Sequence, residues 1–191
     1  GTVAYDSSGN DLNATTYGNP PWVNGKIGGA LSFNGSNQFV FLPAIPQIAG
    51  SVPKSLSFFH KPNSNSNGNN SIISLGSANA NKRFCVLQKS SNEYRFVGTN
   101  NDLPFNSSVN FLWQHVSAVY ENNLLKFYID GSLAEEESII GLDTSSEDHG
   151  RIAKASFPND GEHYHGLIDD VRIYDRALSA AEVQALYNLG Q

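Results

Sequence analysis

Between residues 54 and 95 the chain carries Lys54, Lys61, Lys82, Arg83, Lys89 and Arg95, with Glu93 the only acid in that span, while most acids fall from Asp130 to Asp170. Arginine forks match the planar oxygens of uronate or sulfate, and an aromatic such as Tyr94 between them can stack on a pyranose ring. If alternate strands bring these side chains to one surface, they form a local basic face suited to anionic polysaccharide. The competing reading is a solvated edge whose lysines block strand-to-strand aggregation. His163-Tyr164-His165 is a second constellation, because residues at i and i+2 of a strand share a face. Its imidazoles suit hydrogen bonding to a glycan or a transition metal, or are ordinary rim residues. No Gly-x-Ser-x-Gly elbow, zinc-protease helix or phosphate loop occurs.

The elements that must hold these groups are strands. Runs at 39–42, 55–60, 71–75, 83–88, 94–97, 113–120, 124–129 and 164–174 are separated by Gly, Asn and Ser clusters, the spacing of a sandwich. Glu121-Asn122-Asn123 and Asp130-Gly131 mark tight hairpins. The stretch from Pro62 to Ser71 is polar and low in complexity, and reads as a mobile surface loop. Only the C-terminus reads as helix: Ser179-Ala180-Ala181-Glu182 forms a capping box, Leu178 and Val183 a hydrophobic staple, and Val183, Leu186 and Leu189 one face. The expected fold is all-β, a two-sheet antiparallel sandwich with a short C-terminal helix, in one domain over 1–191.

With 191 residues, a formal charge of −6 and pI near 5.2, the surface disfavours nucleic acid and anionic membrane. Cys85 is the lone cysteine, in an apolar run, and reads as a buried thiol. The start, Gly1-Thr2-Val3-Ala4-Tyr5, has no basic or apolar leader and the chain has no methionine, so it reads as a piece excised from a larger secreted or surface protein.

Four segments carry a family resemblance over nearly the whole chain: Asp6-Ser7-Ser8-Gly9-Asn10; Gly29-Ala30-Leu31-Ser32-Phe33-Asn34-Gly35-Ser36; Trp113-Gln114-His115-Val116 with Leu125 to Gly131; and Gly166-Leu167-Ile168-Asp169-Asp170-Val171-Arg172-Ile173-Tyr174-Asp175-Arg176-Ala177-Leu178-Ser179. The sequence resembles the laminin-G-like jelly rolls of the concanavalin A-like lectin/glucanase group. The resemblance implies that the first segment meets the last strand, gathering Asp6, Asn10, Asn13, Asn34, Asp169 and Asp170 around a structural Ca²⁺, whose chemistry suits oxygen donors. The alternative is that the Asx residues make turns and the aspartates pair with Arg172 or Arg176. Asn34 replaces the usual Asp of the family. His60 stands where the family has an apolar residue and joins Arg83, Lys89, Tyr94, Arg95, His163, Tyr164 and His165 as a glycan-site candidate. Trp113 and His115 match shared packing positions, and Trp22 is a stacking platform or a lid over the core.

Enzymes of this fold place acids as Glu-x-Asp-x-Glu or use Arg-x-Glu-x-Arg strands, and neither pattern is present; Glu135-Glu136-Glu137 is consecutive and alternates faces. The expectation is a non-catalytic carbohydrate-binding module, bound to polysaccharide and joined to a catalytic or surface domain in its parent chain. A laminin-G-type protein-adhesion domain is the first alternative, and a lyase with an unfamiliar site the second.

Overall fold

The computed structural model describes residues 2–63, 68–146, 149–156 and 162–191. In chain order these residues form β1 (Val3–Ala4), β2 (Ala14–Tyr17), β3 (Trp22–Asn24), β4 (Gly29–Asn34), β5 (Phe39–Phe41), β6 (Lys54–Pro62), β7 (Asn70–Gly76), β8 (Arg83–Ser90) and β9 (Glu93–Val97). They continue with β10 (Leu103–Asn106), β11 (Gln114–Glu121), β12 (Leu124–Ile129), β13 (Ser132–Ser138), β14 (Arg151–Ile152), β15 (His165–Tyr174) and α1 (Ala180–Asn188). One sheet has eight strands in the order β1-β2-β5-β14-β7-β8-β9-β10, the other seven in the order β13-β12-β11-β6-β15-β4-β3. All named pairings are antiparallel.

Period-two patterning explains which face of each strand is dry. On β11, Val116, Ala118 and Tyr120 enter the inter-sheet core, while Val119 points to the opposite face and is covered by α1 with Tyr128 of β12. Phe105 and Phe127 stack across the two sheets, with centroids 4.3 Å apart. Each buried aromatic of this kind contributes roughly 1.5–3 kcal/mol over its exposed state. Both expected hairpins form: Asn122 and Asn123 sit at φ 52° and 61°, and Asp130 and Gly131 at 49° and 77°. These left-handed values are what a type I′ turn requires.

The helix begins as expected, with Glu182 N donating to Ser179 Oγ and Ser179 N donating to Glu182 Oε2. Leu178, Val183 and Leu186 are buried, but Leu189 is exposed because the helix stops at Asn188 and Leu189 caps it. The polar stretch after Pro62 is shorter than expected, since Pro62 ends β6 and Asn70 and Ser71 begin β7; its residues 64–67 lie outside the described residues.

One polar network runs through the core. Gln114 is oriented by donating from Nε2 to Ser108 O (3.0 Å), and its Oε1 accepts the Tyr94 hydroxyl at 3.0 Å. The Tyr94 oxygen therefore accepts from His60 Nε2 (2.6 Å), and His60 Nδ1 accepts the Tyr164 hydroxyl (3.0 Å). His60, Tyr94 and Tyr164 each have 0% exposure, and burial holds the His60 pKa down at about 3. Burial likewise lowers His115, which bonds Ser57 Oγ, to about 4.

Both histidines stay neutral in the fold below the pH at which an unfolded chain would protonate them. Their contribution is complete above pH ~6.5 and is lost as pH falls toward the folded values. Urea unfolding at pH 7 and 5.5 should show a loss of roughly 1 kcal/mol per histidine. The His60→Gln/His115→Gln variant should flatten this dependence, and an equally steep loss in that variant would contradict the assignment.

Candidate functional site

The expected basic face is assembled differently from its sequence order. Alternation on β8 sends Phe84 and Val86 into the core and leaves Cys85 and Leu87 on the outer face with Val97 of β9. Tyr94 and Phe96 of β9 likewise point inward, so Tyr94 lies on the opposite face from Arg95 and cannot stack on a ligand held there. Arg83 and Arg95 do come together, lining a cavity of about 280 Å³ with Asn69, Asp102 and Glu162. A polar relay runs through it: Lys89 Nζ donates to Asn69 Oδ1 (2.7 Å), Asn69 Nδ2 donates to Glu162 Oε1, and Arg83 Nη2 stands 3.6 Å from Glu162 Oε2. Arg83 Nε donates to Ser74 Oγ, and Arg95 grips Glu93 Oε1 through Nε (2.9 Å) and Nη2 (2.6 Å).

The other cations are dispersed. Lys54 is buried, donates to Gly50 O (2.6 Å) and Thr144 Oγ1 (3.1 Å), and is depressed to about 8 by burial. Lys82 pairs with Asp143. Lys82, Arg83 and Arg95 are thus ion-paired, and the six cations do not form one basic face. His60, Tyr94 and Tyr164 are closed into the core, so they offer nothing to a glycan outside. His163 and His165 are half-buried on either side of Tyr164; His165 pairs with Asn34 across β15 and β4, and His163 bridges to Lys154.

On the same outer face, sequence reasoning missed an aromatic strip. Thr16 and Val40 face the core, which turns Tyr17 of β2 and Phe39 and Phe41 of β5 outward. Tyr17 stacks on Phe39 (4.8 Å), Phe41 stacks on His149 (4.7 Å), and Lys154 Nζ lies over Phe39. The signal was legible as alternation in Thr15-Thr16-Tyr17 and Phe39-Val40-Phe41.

A second, larger cavity of about 820 Å³ opens where the N-terminal segment meets β15. Pairing of β15 with β4 stops at Ile168, and the three steps from Asp169 to Arg172 on β15 span the two steps from Phe59 to Ser57 on β6. This bulge places Asp170 at φ 45° and parts the strands. Asp169 is buried beneath the turn after β3: its Oδ2 accepts Lys26 N (2.7 Å) and Ile27 N (2.8 Å), and its Oδ1 accepts Asp170 N (2.7 Å). Gly25 is required there, because a Cβ would collide with Asp169 Oδ2.

Of the six residues expected around calcium, Asp6, Asn10, Asp169 and Asp170 line this cavity. Asp6 accepts from Ser8 N, Ser8 Oγ and Leu12 N within its own turn, which lowers its pKa. Asp170 accepts Arg172 Nε on both oxygens, at 3.1 and 2.9 Å. Asn13 Oδ1 holds Asp6 N, while Asn34 lies elsewhere and accepts Ser36 N and Asn37 N. Among the described residues no group of three His, Cys, Asp or Glu could hold a metal. As arranged, the six do not fit one calcium shell.

The two antiparallel sheets and their order define a jelly-roll sandwich of laminin-G type. Residues 34–184 match the model of the concanavalin A-like lectin/glucanases superfamily, and the chain belongs to that family. The zebrafish (Danio rerio) adhesion G-protein coupled receptor V1 is 27% identical over 157 residues, which cover 75% of this chain and 2% of that receptor. Among solved structures, domain 4 of AbnA, a GH43 extracellular arabinanase from Geobacillus stearothermophilus in complex with arabinotriose, superposes with TM-score 0.75 at 20% identity, over 96% of this chain and 91% of that one. The botulinum neurotoxin serotype G binding domain gives TM-score 0.76 at 20% identity, over 98% of this chain and 50% of that one. No helix among the described residues is long and apolar enough to cross a membrane.

Because the carboxylates already have protein donors, millimolar calcium should move the melting temperature by less than about 2 °C relative to EDTA. A larger rise, abolished in Asp170→Asn, would show that Asp170 leaves Arg172 for the ion.

Proposed function

We propose that this chain is a non-catalytic carbohydrate-binding module of an extracellular protein, holding polysaccharide on the outer face of the eight-stranded sheet. The observation that carries the reading is the convergence of Arg83, Arg95, Asn69 and Glu162 on one cavity of that face, with Lys89 donating to Asn69. Fixed, ion-paired groups of this kind offer donors and acceptors together, which suits vicinal hydroxyls. The aromatic strip on the same face supplies rings for the apolar faces of sugars, with Tyr17 at 47% exposure. A uronate must displace Glu93 to reach Arg95, so neutral chains are expected to bind at least as well as anionic ones.

Three features favour binding over chemistry. No Glu-x-Asp-x-Glu run occurs in the sequence, and Glu162 is engaged by Asn69 and Arg83. The His–Tyr–Tyr set that could serve a lyase is shut in the core. The likeness to an arabinanase domain in complex with arabinotriose fits a module attached to an enzyme that it keeps near substrate. Protein adhesion is the second reading, favoured by the receptor relative. Calcium enters only as a stabiliser that would have to take Asp170 from Arg172.

Affinity electrophoresis against neutral and anionic polysaccharides tests the proposal. At least one should retard the chain, and Arg95→Ala and Tyr17→Ala should each weaken retention about tenfold with the fold intact. Absence of retardation, together with capture by an extracellular-matrix protein, would replace the proposal with adhesion; release of unsaturated sugar products absorbing in the ultraviolet would replace it with a lyase.

A further inference from the structure

The 820 Å³ cavity at the β15 bulge belongs to none of the sheet-face groups, and its mouth carries the features of a ligand site. Trp22 on β3 is 52% exposed and Tyr5 is 84% exposed, although both line the cavity. Both rings therefore leave apolar faces open at the cavity. Trp22 is not a free side chain: it pairs opposite Leu31, and its Cε3 stands 3.6 Å from the position of a Cβ on Gly29, so the ring rests against the sheet edge. Behind the rings the floor is apolar, with Leu31, Val40 and Ile168.

Polar groups at fixed positions complete the site. Asp6 is held by its own turn, and Asp170 and Arg172 are locked to each other on the bulge, so hydrogen-bonding atoms are presented without reorganisation. The size falls within the range of small-ligand sites, in which an apolar lining and a few placed polar groups fix orientation. The charged residues lining it are Asp6, Asp169, Asp170, Asp175 and Arg172, four acids against one base. A carboxylated or sulfated ligand meets repulsion there. A ring with one apolar face and a rim of hydroxyls meets aromatic planes, acceptors and one guanidinium.

We infer that this cavity is a second carbohydrate site, distinct from the sheet face, which takes uncharged sugar units between Trp22 and Tyr5 and excludes uronates. The inference deepens the glycan-binding reading but rests on a different set of side chains. Asp170 in the left-handed region is part of the device: the bulge that strains it also turns its carboxylate toward Arg172 at the cavity wall.

Trp22 and Trp113 are the only tryptophans, so Trp113→Phe makes Trp22 the sole indole reporter. That protein is titrated with arabinotriose, xylotriose, cellotriose and trigalacturonate, with calorimetry on the unmodified chain and on Trp22→Ala, Trp22→Phe and Arg95→Ala. At least one neutral trisaccharide should change Trp22 emission. Its affinity should fall about tenfold in Trp22→Ala and be largely kept in Trp22→Phe. Trigalacturonate should bind more weakly, with the gap narrowed in Asp175→Asn. Neutral sugars that leave Trp22 emission unmoved overturn the inference. So does trisaccharide binding that survives Trp22→Ala and is lost in Arg95→Ala, a result that would leave the sheet-face proposal standing.

Discussion

A single buried carboxylate sets the geometry on which the end of the sandwich depends. Asp169 stands in the middle of β15, between β6 and β4, and its two oxygens collect three backbone amides from the turn at Lys26 and Ile27 and from its own neighbour. Hydrogen bonds to an ionised acceptor are worth about 1.5–3 kcal/mol each, and leaving the charge buried without them would cost more than they return. The turn must therefore fold down over β15, the glycine at position 25 must stay bare, and the next residue must break register. The bulge, the parting of β4 from β15 and the cavity between them follow from that one satisfied charge.

The same logic governs the core. Putting a histidine where two sheets meet is tolerable only if both ring nitrogens find partners, and the chain Ser108–Gln114–Tyr94–His60–Tyr164 supplies them from elements on both sheets. This network also locks the facing sheets in register, since each hydroxyl has one geometry that satisfies both neighbours. Residues whose types suggest catalysis are here spent on cohesion. The outer face has the reverse economy: buried Arg83 and half-buried Arg95 and Lys89 are balanced by Glu162, Glu93 and Asn69, so they stay ordered and oriented.

Much of the fold was legible. Asn122-Asn123 and Asp130-Gly131 announced their turns because few residues accept φ > 0, and Ser179 to Glu182 announced the helix through a local, reciprocal cap. Strands β2, β4 and β10 also lay outside the expected runs, although β2 alternates buried and exposed; β3 and β13 escaped because almost all their residues are exposed, and β1 and β14 because each has two residues. The site was less legible. Clustering of Arg and Lys along the sequence says nothing about acids that arrive from far away, such as Glu162 beside Arg83 or Asp143 beside Lys82. The placement of Tyr94 was readable, since adjacent strand residues point oppositely, and Arg95 on the surface requires Tyr94 in the core. Nothing local could reveal that Trp22 and Tyr5 share a cavity, because the bulge that joins their surroundings lies at Asp170, far along the chain.

The most direct test of a glycan-binding sandwich is an amide chemical-shift map of the chain titrated with polysaccharide fragments. The account predicts saturable shifts confined to the outer face around Arg83 to Val97 and Tyr17, or to the cavity around Trp22 and Asp170 to Asp175. Shifts confined to α1 and the acidic β13 edge, or none with any fragment, would contradict it.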